Sequence, residues 1–274
     1  MGRAERLSRW LVKELISIRT RFRGPSPAPD GRTTLLTVNY QAGASAARLA
    51  RSFRWAFGED APVVVVENGV RAAEIAAVGR IAYVKPWANL HHALGLDYGM
   101  RHVKTEWTLV CDPDACIIHP DFKPRLHQLA QTKGVAGIDS GHAIYHPICL
   151  FFKTEWWKTG GFSFLHRWPW WDVAGELTHL VGGRDPATLL KRTRVAGPRF
   201  RDPIYLVEVY EDLFTNTYLG SRRHTVESDD HLGMPRDVVL PLHDQWAGWV
   251  SRVVDQRITV PFPLKEEILD PTHH

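Results

Sequence analysis

Short apolar segments alternate with helical patterns between residues 34 and 111, and this alternation limits the possible folds more than any other feature of the chain. The strand candidates are rich in β-branched residues and cover 34–38, 63–66, 81–84 and 108–111. The helix candidates between them cover 44–57 and 90–103. Val63–Val66 is apolar on both faces, as a central parallel strand requires. The order predicts an α/β fold, a doubly wound mixed sheet with helices on both faces.

Three segments are expected in the 274 residues. Residues 1–31 contain a basic amphipathic helix over 3–22 and a Pro-rich linker. Residues 32–140 form the regular half, and 141–274 form a less regular half with a C-terminal tail. Within the second half, 182–203 is basic and rich in Gly and Pro, which predicts a mobile loop. Its arginines, at positions 192, 194, 199 and 201, are candidates for holding phosphate.

Charge and cysteine content narrow the function classes. A formal charge of +4 and a pI near 9.0 suit an anionic ligand. No concentrated basic stripe is present, so nucleic-acid binding is not expected. Cys111, Cys116 and Cys149 form no CxxC pair, and buried thiols in a reducing cytoplasm are the expectation. No apolar run approaches the ~18 residues of a membrane helix, and no signal peptide is recognised.

Two carboxylates follow the apolar segment 107–111 in the sequence Asp112-Pro113-Asp114. Residues two apart in extended backbone point to the same side. At the carboxyl end of a central strand both would face the crevice in which α/β sheets bind ligands. Paired carboxylates there suit Mg²⁺ or Mn²⁺, which can in turn hold a diphosphate. Ordinary turn formation is the alternative explanation of the same three residues.

The order of these features resembles the GT-A fold glycosyltransferases, most closely the family-2-like group. Four segments carry the resemblance: 37–40, 63–69, 89–99 and 105–114, the last of which ends in the Asp-x-Asp signature. The resemblance implies a nucleoside-diphosphate sugar as donor. It also implies a set of donor contacts, namely Asn39, Tyr40, Glu67, Asn89, His92 and Asp112. Asp114 and Asp112 would hold the Mn²⁺ or Mg²⁺ ion.

The second half resembles the family more loosely. Phe151–Phe162 is similar to the segment that enters the acceptor site and ends in Gly-Gly-Phe. Asp172 is the candidate general base, although the acidic pair usual in the family is missing after Phe162. A C-terminal metal ligand is expected at His231 or at Asn216. The aromatic candidates for acceptor contacts are Trp156, Trp157 and Trp171.

The sequence therefore predicts a metal-dependent glycosyltransferase that moves a sugar to an acceptor hydroxyl, with inversion implied by the resemblance alone. The acceptor would be a glycan, a lipid-linked molecule or a small molecule. A sugar nucleotidyltransferase is an alternative, but only Gly43 stands where such enzymes carry a Gly-rich loop. A GT-A-like protein that binds a nucleotide sugar without turnover is the other alternative.

The helix expected over 3–22 is predicted to dock on an anionic membrane surface. Six basic residues occupy the segment, and each contributes about 1 kcal/mol near such a surface, in addition to burial of the apolar stripe. The full-length chain should co-sediment with anionic vesicles at low salt, and a chain that starts at Asp30 should not. Equal sedimentation of the two, or unfolding of the shorter chain, would instead place the helix against the catalytic domain.

Overall fold

A computed structural model describes residues 31–69, 72–86, 89–165, 173–201, 204–218, 236–260, 262 and 266–268. Three predicted site residues, Trp171, Asp172 and His231, lie outside the described residues, as does the helix predicted over 3–22. Among the described residues, no helix is long and apolar enough to cross a membrane.

The first sheet has seven strands. In chain order they are β1 (Thr33–Asn39), β2 (Val63–Glu67), β3 (Ile81–Val84), β4 (Trp107–Cys111), β6 (Val135–Ile138), β7 (Cys149–Lys153) and β8 (Leu189–Leu190). Their spatial order is β3-β2-β1-β4-β7-β6-β8. Strands β1 to β4 are parallel, β7 runs antiparallel to both β4 and β6, and β6 is parallel to β8. The predicted α/β doubly wound mixed sheet is confirmed.

The second sheet has five strands and lies at the carboxyl end of β4. Its strands are β5 (Ala115–Ile117), β9 (Arg192–Arg201), β10 (Ile204–Tyr210), β11 (Phe214–Thr217) and β12 (Glu266–Ile268), in the order β12-β9-β10-β11-β5. The described helices are α1 (Gly43–Phe57), α2 (Ala73–Ala77), α3 (His91–Met100), α4 (Phe122–Ala130), α5 (Thr154–Lys158), α6 (Gly175–Leu180) and α7 (Arg236–Gln256).

The prediction of a loop over 182–203 is wrong for residues 192–201, which form β9 and pair with β10. Gly197 and Pro198 suggested irregular backbone, and the pairing does contain register shifts. Gly197 takes a φ of +81°, a conformation that glycine adopts without strain. The flanking Val195 and Ala196 are buried, so burial of apolar side chains keeps the segment in the sheet.

Alternate residues of the central strands fill two separate cores. One core packs against α1 and includes Leu35, Val63, Val65 and Leu109. The other packs against α3 and includes Leu36, Val64, Val66 and Val110. A strand that is apolar on both faces is stable only when both faces are covered, which explains the runs of β-branched residues. A third core lies between the second sheet and α7, where Trp246 and Trp249 are buried.

Helix α3 approaches β1 and β2 closely at Gly99. A Cβ atom built on Gly99 would overlap Leu36 and lie 2.7 Å from Cγ2 of Val66.

We expect Gly99→Ala to lower the free energy of unfolding by about 1–3 kcal/mol through overpacking. Gly248→Ala is the matched control, because nothing lies within 4 Å of its Cβ position in α7. Urea denaturation should show that the control gains about 0.5–1 kcal/mol from helix propensity. Equal effects at the two positions would contradict the close packing.

Candidate donor and metal site

Strands β1 and β2 are joined at their carboxyl ends by polar side chains. Nδ2 of Asn39 donates to Oε2 of Glu67 at 2.6 Å, and the Tyr83 hydroxyl donates to the same oxygen at 2.7 Å. The other oxygen of Glu67 accepts from the backbone N–H of Gly69 at 2.7 Å. Glu67 is only 1% exposed. Asn39 and Glu67 therefore hold this edge together, and both side chains are buried.

Tyr40 differs from Asn39 and Glu67 because its side chain is exposed. Its side chain is 42% accessible, and its ring lies beside the backbone of Gly69. A flat ring at the carboxyl edge of a parallel sheet is a suitable surface for stacking a planar base. Of the predicted donor contacts at β1 and β2, Tyr40 is the one whose side chain is exposed.

The loop before α3 is ordered by two asparagines. Asn68 accepts from the N–H of Leu90 at 3.2 Å and donates to the carbonyl of His91 at 2.8 Å. Oδ1 of the exposed Asn89 accepts from the N–H of His91 at 2.8 Å. These bonds support His91 in a left-handed conformation, with φ of +58°. Asn89 thus shapes the start of the helix that carries His92.

The acidic motif forms the turn between β4 and β5. The N–H of Ala115 donates to the carbonyl of Asp112 at 3.1 Å. Asp114 is 5% exposed, while Asp112 is more accessible and lies 3.4 Å from Nε2 of His92. Strand β4 is central in the sheet, and the motif stands at its carboxyl end as predicted. The structure thus brings Asp112 and His92 into contact, with Asp114 two residues further along the same turn.

Asn216 lies next to this motif. In the pairing of β11 with β5 its partner is Ala115, and the N–H of Thr217 donates to the carbonyl of Asp114 at 3.1 Å. Asn216 is 1% exposed, and its Oδ1 has no hydrogen-bond partner among the described residues. A buried amide oxygen without a partner is costly unless a ligand occupies it. Of the two residues proposed as the further ligand, Asn216 is the one that the structure describes, and it adjoins the motif.

These oxygen donors fit a hard divalent cation. The described residues contain no group of three His, Cys, Asp or Glu side chains close enough to hold a metal ion. Mg²⁺ and similar ions are commonly held by one or two carboxylates together with substrate phosphates, so a complete protein cage is not required. Two carboxylates and the Asn216 amide oxygen meet that requirement.

A buried ion pair lies on the same face of the second sheet. Glu208 is the register partner of Asn216, and its carboxylate accepts from Nη1 of Arg192 at 2.6 Å. It also accepts from the Tyr205 N–H at 3.2 Å and from the Tyr210 hydroxyl. Burial raises the pKa of Glu208, while Arg192 lowers it. Arg192 is therefore committed to Glu208, and the phosphate-holding role predicted for it does not fit this position.

The loop between β6 and β7 contributes residues that sequence reasoning missed. Because β6 runs parallel to β4, this loop starts at the same edge as the acidic motif. His142 lies 3.0 Å from Oγ of Ser140, and its ring centre is 4.3 Å from that of His146. Nδ1 of His146 accepts from the N–H of Ile148 at 3.3 Å. The sequence signal was two histidines four residues apart, His142 and His146.

Trp156 and Trp157, two of the predicted acceptor contacts, do not lie at the edge of the sheet that carries the acidic motif. The register of β7 on β4 pairs Cys149 with Cys111 and Lys153 with Trp107, so α5 follows at the edge opposite the acidic motif. Trp157 is 1% exposed, and its Nε1 donates to Asp97 at 2.7 Å. Trp156 is half-buried and packs on Gly134. The acceptor role predicted for Trp156 and Trp157 does not fit this position.

Two further acidic side chains, those of Asp139 and Glu176, bind neighbouring groups. Asp139, at the end of β6, forms an ion pair with Arg184. Glu176 accepts from the N–H of Ser163 at 2.7 Å. Each therefore orders the loop that surrounds it.

Comparison with known proteins gives matches to solved structures alone. No protein-family profile and no curated protein matches the chain. A mannosyltransferase from Pyrobaculum calidifontis, PcManGT, solved with GDP-Man and Mn²⁺, is 15% identical over 92% of this chain and 84% of that chain, with a TM-score of 0.47. TarS from S. aureus, residues 1–349, is 10% identical over 82% of this chain and 71% of that one, with a TM-score of 0.46.

Shorter matches cover about half of the chain. In its complex with UDP-GlcNAc, TarS is 13% identical over 49% of this chain and 48% of that chain, with a TM-score of 0.40. The galactosyltransferase LgtC, solved with donor and acceptor sugar analogues, is 16% identical over 46% of this chain and 59% of that one, with a TM-score of 0.34. Identities of 10–16% and TM-scores below 0.5 transfer no substrate, metal or residue role to this chain.

Protonation of His146 should destabilise the fold. Burial, with smaller effects of His142 and His92, holds the pKa of His146 well below its usual value. The unfolded chain therefore takes up this proton at higher pH than the folded chain, and stability falls as the pH drops below about 6.5. In urea denaturation between pH 8 and pH 5.5, His146→Gln should lose less stability than the wild type as the pH falls. Parallel stability curves would contradict this linkage.

Proposed function

We propose that the chain is a metal-dependent glycosyltransferase that transfers a sugar from a nucleoside diphosphate to an acceptor hydroxyl. One observation carries the proposal: Asp112 and Asp114 stand at the carboxyl end of a central parallel strand, and the buried Asn216, whose Oδ1 has no hydrogen-bond partner among the described residues, pairs with the adjacent Ala115. Open α/β sheets bind their ligands in this crevice. Three oxygen donors there suit a divalent ion bound together with a diphosphate.

Donor binding would use the β1–β4 side of the edge. The exposed Tyr40 ring would stack on the base, and the Asn39–Glu67–Tyr83 network would keep the strand ends beneath it in place. Asp112 and Asp114 would face the diphosphate, and His92 would hold the Asp112 carboxylate by its 3.4 Å contact. Asp112 and Asp114 would hold an Mn²⁺ or Mg²⁺ ion, which when bound would neutralise the charge that develops on the leaving diphosphate.

Acceptor binding would use the opposite side of the motif, toward β7, β6 and β8. The loop from Ser140 to Ile148 borders this side and presents His142, which is partly accessible. An acceptor hydroxyl is a weak nucleophile and benefits from a carboxylate that removes its proton during attack. Asp172 remains the proposed base, and inversion remains the proposed outcome. Both come from the sequence resemblance.

Loss of one motif carboxylate should abolish metal-dependent donor binding. We expect Asp114→Asn to weaken Mn²⁺-dependent binding of UDP or GDP by at least about a hundredfold, the upper end of what loss of a supporting partner costs a metal site. The fold should survive, because the amide keeps the shape of the side chain. Calorimetric titration with each nucleotide, with and without Mn²⁺, measures the effect.

The matched control is Asp60→Asn, the same substitution in the exposed turn before β2, at the far edge of the sheet. It should bind nucleotide as the wild type does. Undiminished Mn²⁺-dependent nucleotide binding by Asp114→Asn would contradict the proposed metal site. Tight binding of nucleotide sugars by the wild type without transfer to any acceptor would instead favour the non-catalytic alternative.

A further inference from the structure

Cations collect at the edge of the first sheet where strands β1 to β4 begin, which we call the amino edge. Arg101 and Lys104 lie in the connection from α3 to β4, and both are exposed. Lys158 ends α5, which begins where β7 finishes at this same edge. The N–H of Thr154 donates to the carbonyl of Glu106 at 2.8 Å and so joins α5 to that connection.

Side-chain contacts bring the cations of these two segments onto one surface. Nε1 of Trp157 donates to Asp97 on α3 at 2.7 Å, and the Lys158 ammonium lies 5.6 Å from the centre of the Trp157 ring. The Arg101 guanidinium lies 5.9 Å from the centre of the Tyr98 ring. Asp97 and Tyr98 are neighbours on α3, so both cations lie around the last turn of that helix.

The charge of this surface is positive. Burial lowers the pKa of Lys158, and the charge of Lys104 lowers it further. Burial also lowers the pKa of His102, with Lys158, Arg101 and Lys104 acting in the same direction. The basic residues of the two segments are Arg101, Lys104, Lys153 and Lys158, and the acidic ones are Glu106 and Glu155. Four cations against two carboxylates leave a surface that attracts an anionic partner.

The described part of the chain also begins at the amino edge. The N–H of Gly31 donates to the Glu106 carboxylate at 2.7 Å, and the N–H of Trp107 donates to the carbonyl of Arg32 at 3.0 Å. Residues 3–22, with their six basic side chains and apolar stripe, are joined to Gly31 by eight residues. A connection of that length spans at most about 30 Å. The basic N-terminal segment and the basic amino edge can therefore contact the same surface.

We propose that the amino edge, through Arg101, Lys104 and Lys158, docks on an anionic lipid bilayer together with residues 3–22. A bilayer offers anionic head groups to the cations and an apolar layer to the stripe of residues 3–22. The same layer suits Leu180, which is 47% exposed and packs beside Gly161, just after α5. Nucleic acid would offer only the charge. Docking at this edge leaves the acidic motif, at the opposite edge, turned toward the aqueous phase.

The two attachments are expected to act together. Stable binding to a membrane takes two signals, and a surface with this few cations binds weakly by itself. The chain that starts at Asp30 therefore stays unbound although it keeps the amino edge. In the full-length chain the amino edge strengthens binding and fixes the orientation of the folded domain.

Neutralisation of the amino edge in the full-length chain tests the proposal. The variant combines Arg101→Gln, Lys104→Gln and Lys158→Gln, and circular dichroism verifies its fold. Its partition coefficient onto vesicles of phosphatidylserine and phosphatidylcholine should fall on the order of a hundredfold, about fivefold for each cation removed. Hydrogen exchange of the wild type on the same vesicles should show protection in both segments of the amino edge and none in the acidic motif.

The matched control combines Lys85→Gln, Lys191→Gln and Arg252→Gln, which remove the same charge from exposed positions. Lys85 and Lys191 follow β3 and β8 at the opposite edge, and Arg252 lies on α7. Strand β1 has seven residues and spans about 20 Å, twice the Debye length at about 0.1 M salt. The control cations are therefore screened from the lipid, and the partition coefficient should stay close to that of the wild type.

Equal losses in the two variants would show that net charge alone drives binding, which overturns the proposal. Unchanged vesicle binding by the amino-edge variant also overturns it, because residues 3–22 would then act alone. Protection of the acidic motif on vesicles would reverse the orientation and contradict the docking surface. Binding of the wild type to DNA and not to vesicles would assign the cations to a nucleic-acid partner instead.

Discussion

Burial of both faces of the β1–β4 sheet is the constraint on which the rest of the structure depends. Four parallel strands expose two apolar surfaces, and α1 and α3 cover one each. Parallel pairing brings the carboxyl ends of these strands to a single edge. The hydrophobic effect thus decides where the polar ends of the strands collect, before any hydrogen bond at that edge is considered.

The edge is then shaped by polar groups that satisfy one another. Glu67 accepts from Asn39, Tyr83 and Gly69, and Glu208 accepts from Arg192, Tyr205 and Tyr210. Each carboxylate is buried, and removal of a partner would leave a charge in an apolar environment. These two networks flank the acidic motif, one on the first sheet and one on the second. Rigid surroundings of this kind limit the positions that the motif side chains can take.

Strand order determines which residues lie on each side of the acidic motif. Strands β1 to β3 lie on one side of β4, and the antiparallel β7 lies on the other. The direction of β7 sends Trp156 and Trp157 to the far edge, and it brings the 139–148 loop to the near one. The proposed donor and acceptor positions use these two sides of the motif, so that the two reactants would meet at Asp112 and Asp114.

The sequence by itself determined the central strands and the position of Asp112 and Asp114 among them. Runs of apolar residues on both faces are stable only in a covered parallel sheet, so their direction and their edge follow from local composition. Only the tertiary structure decided that Asn216 stands beside that motif, roughly a hundred residues away along the chain. Its position depends on the register of β11 on β5, which is set by packing between distant segments and has no local signature.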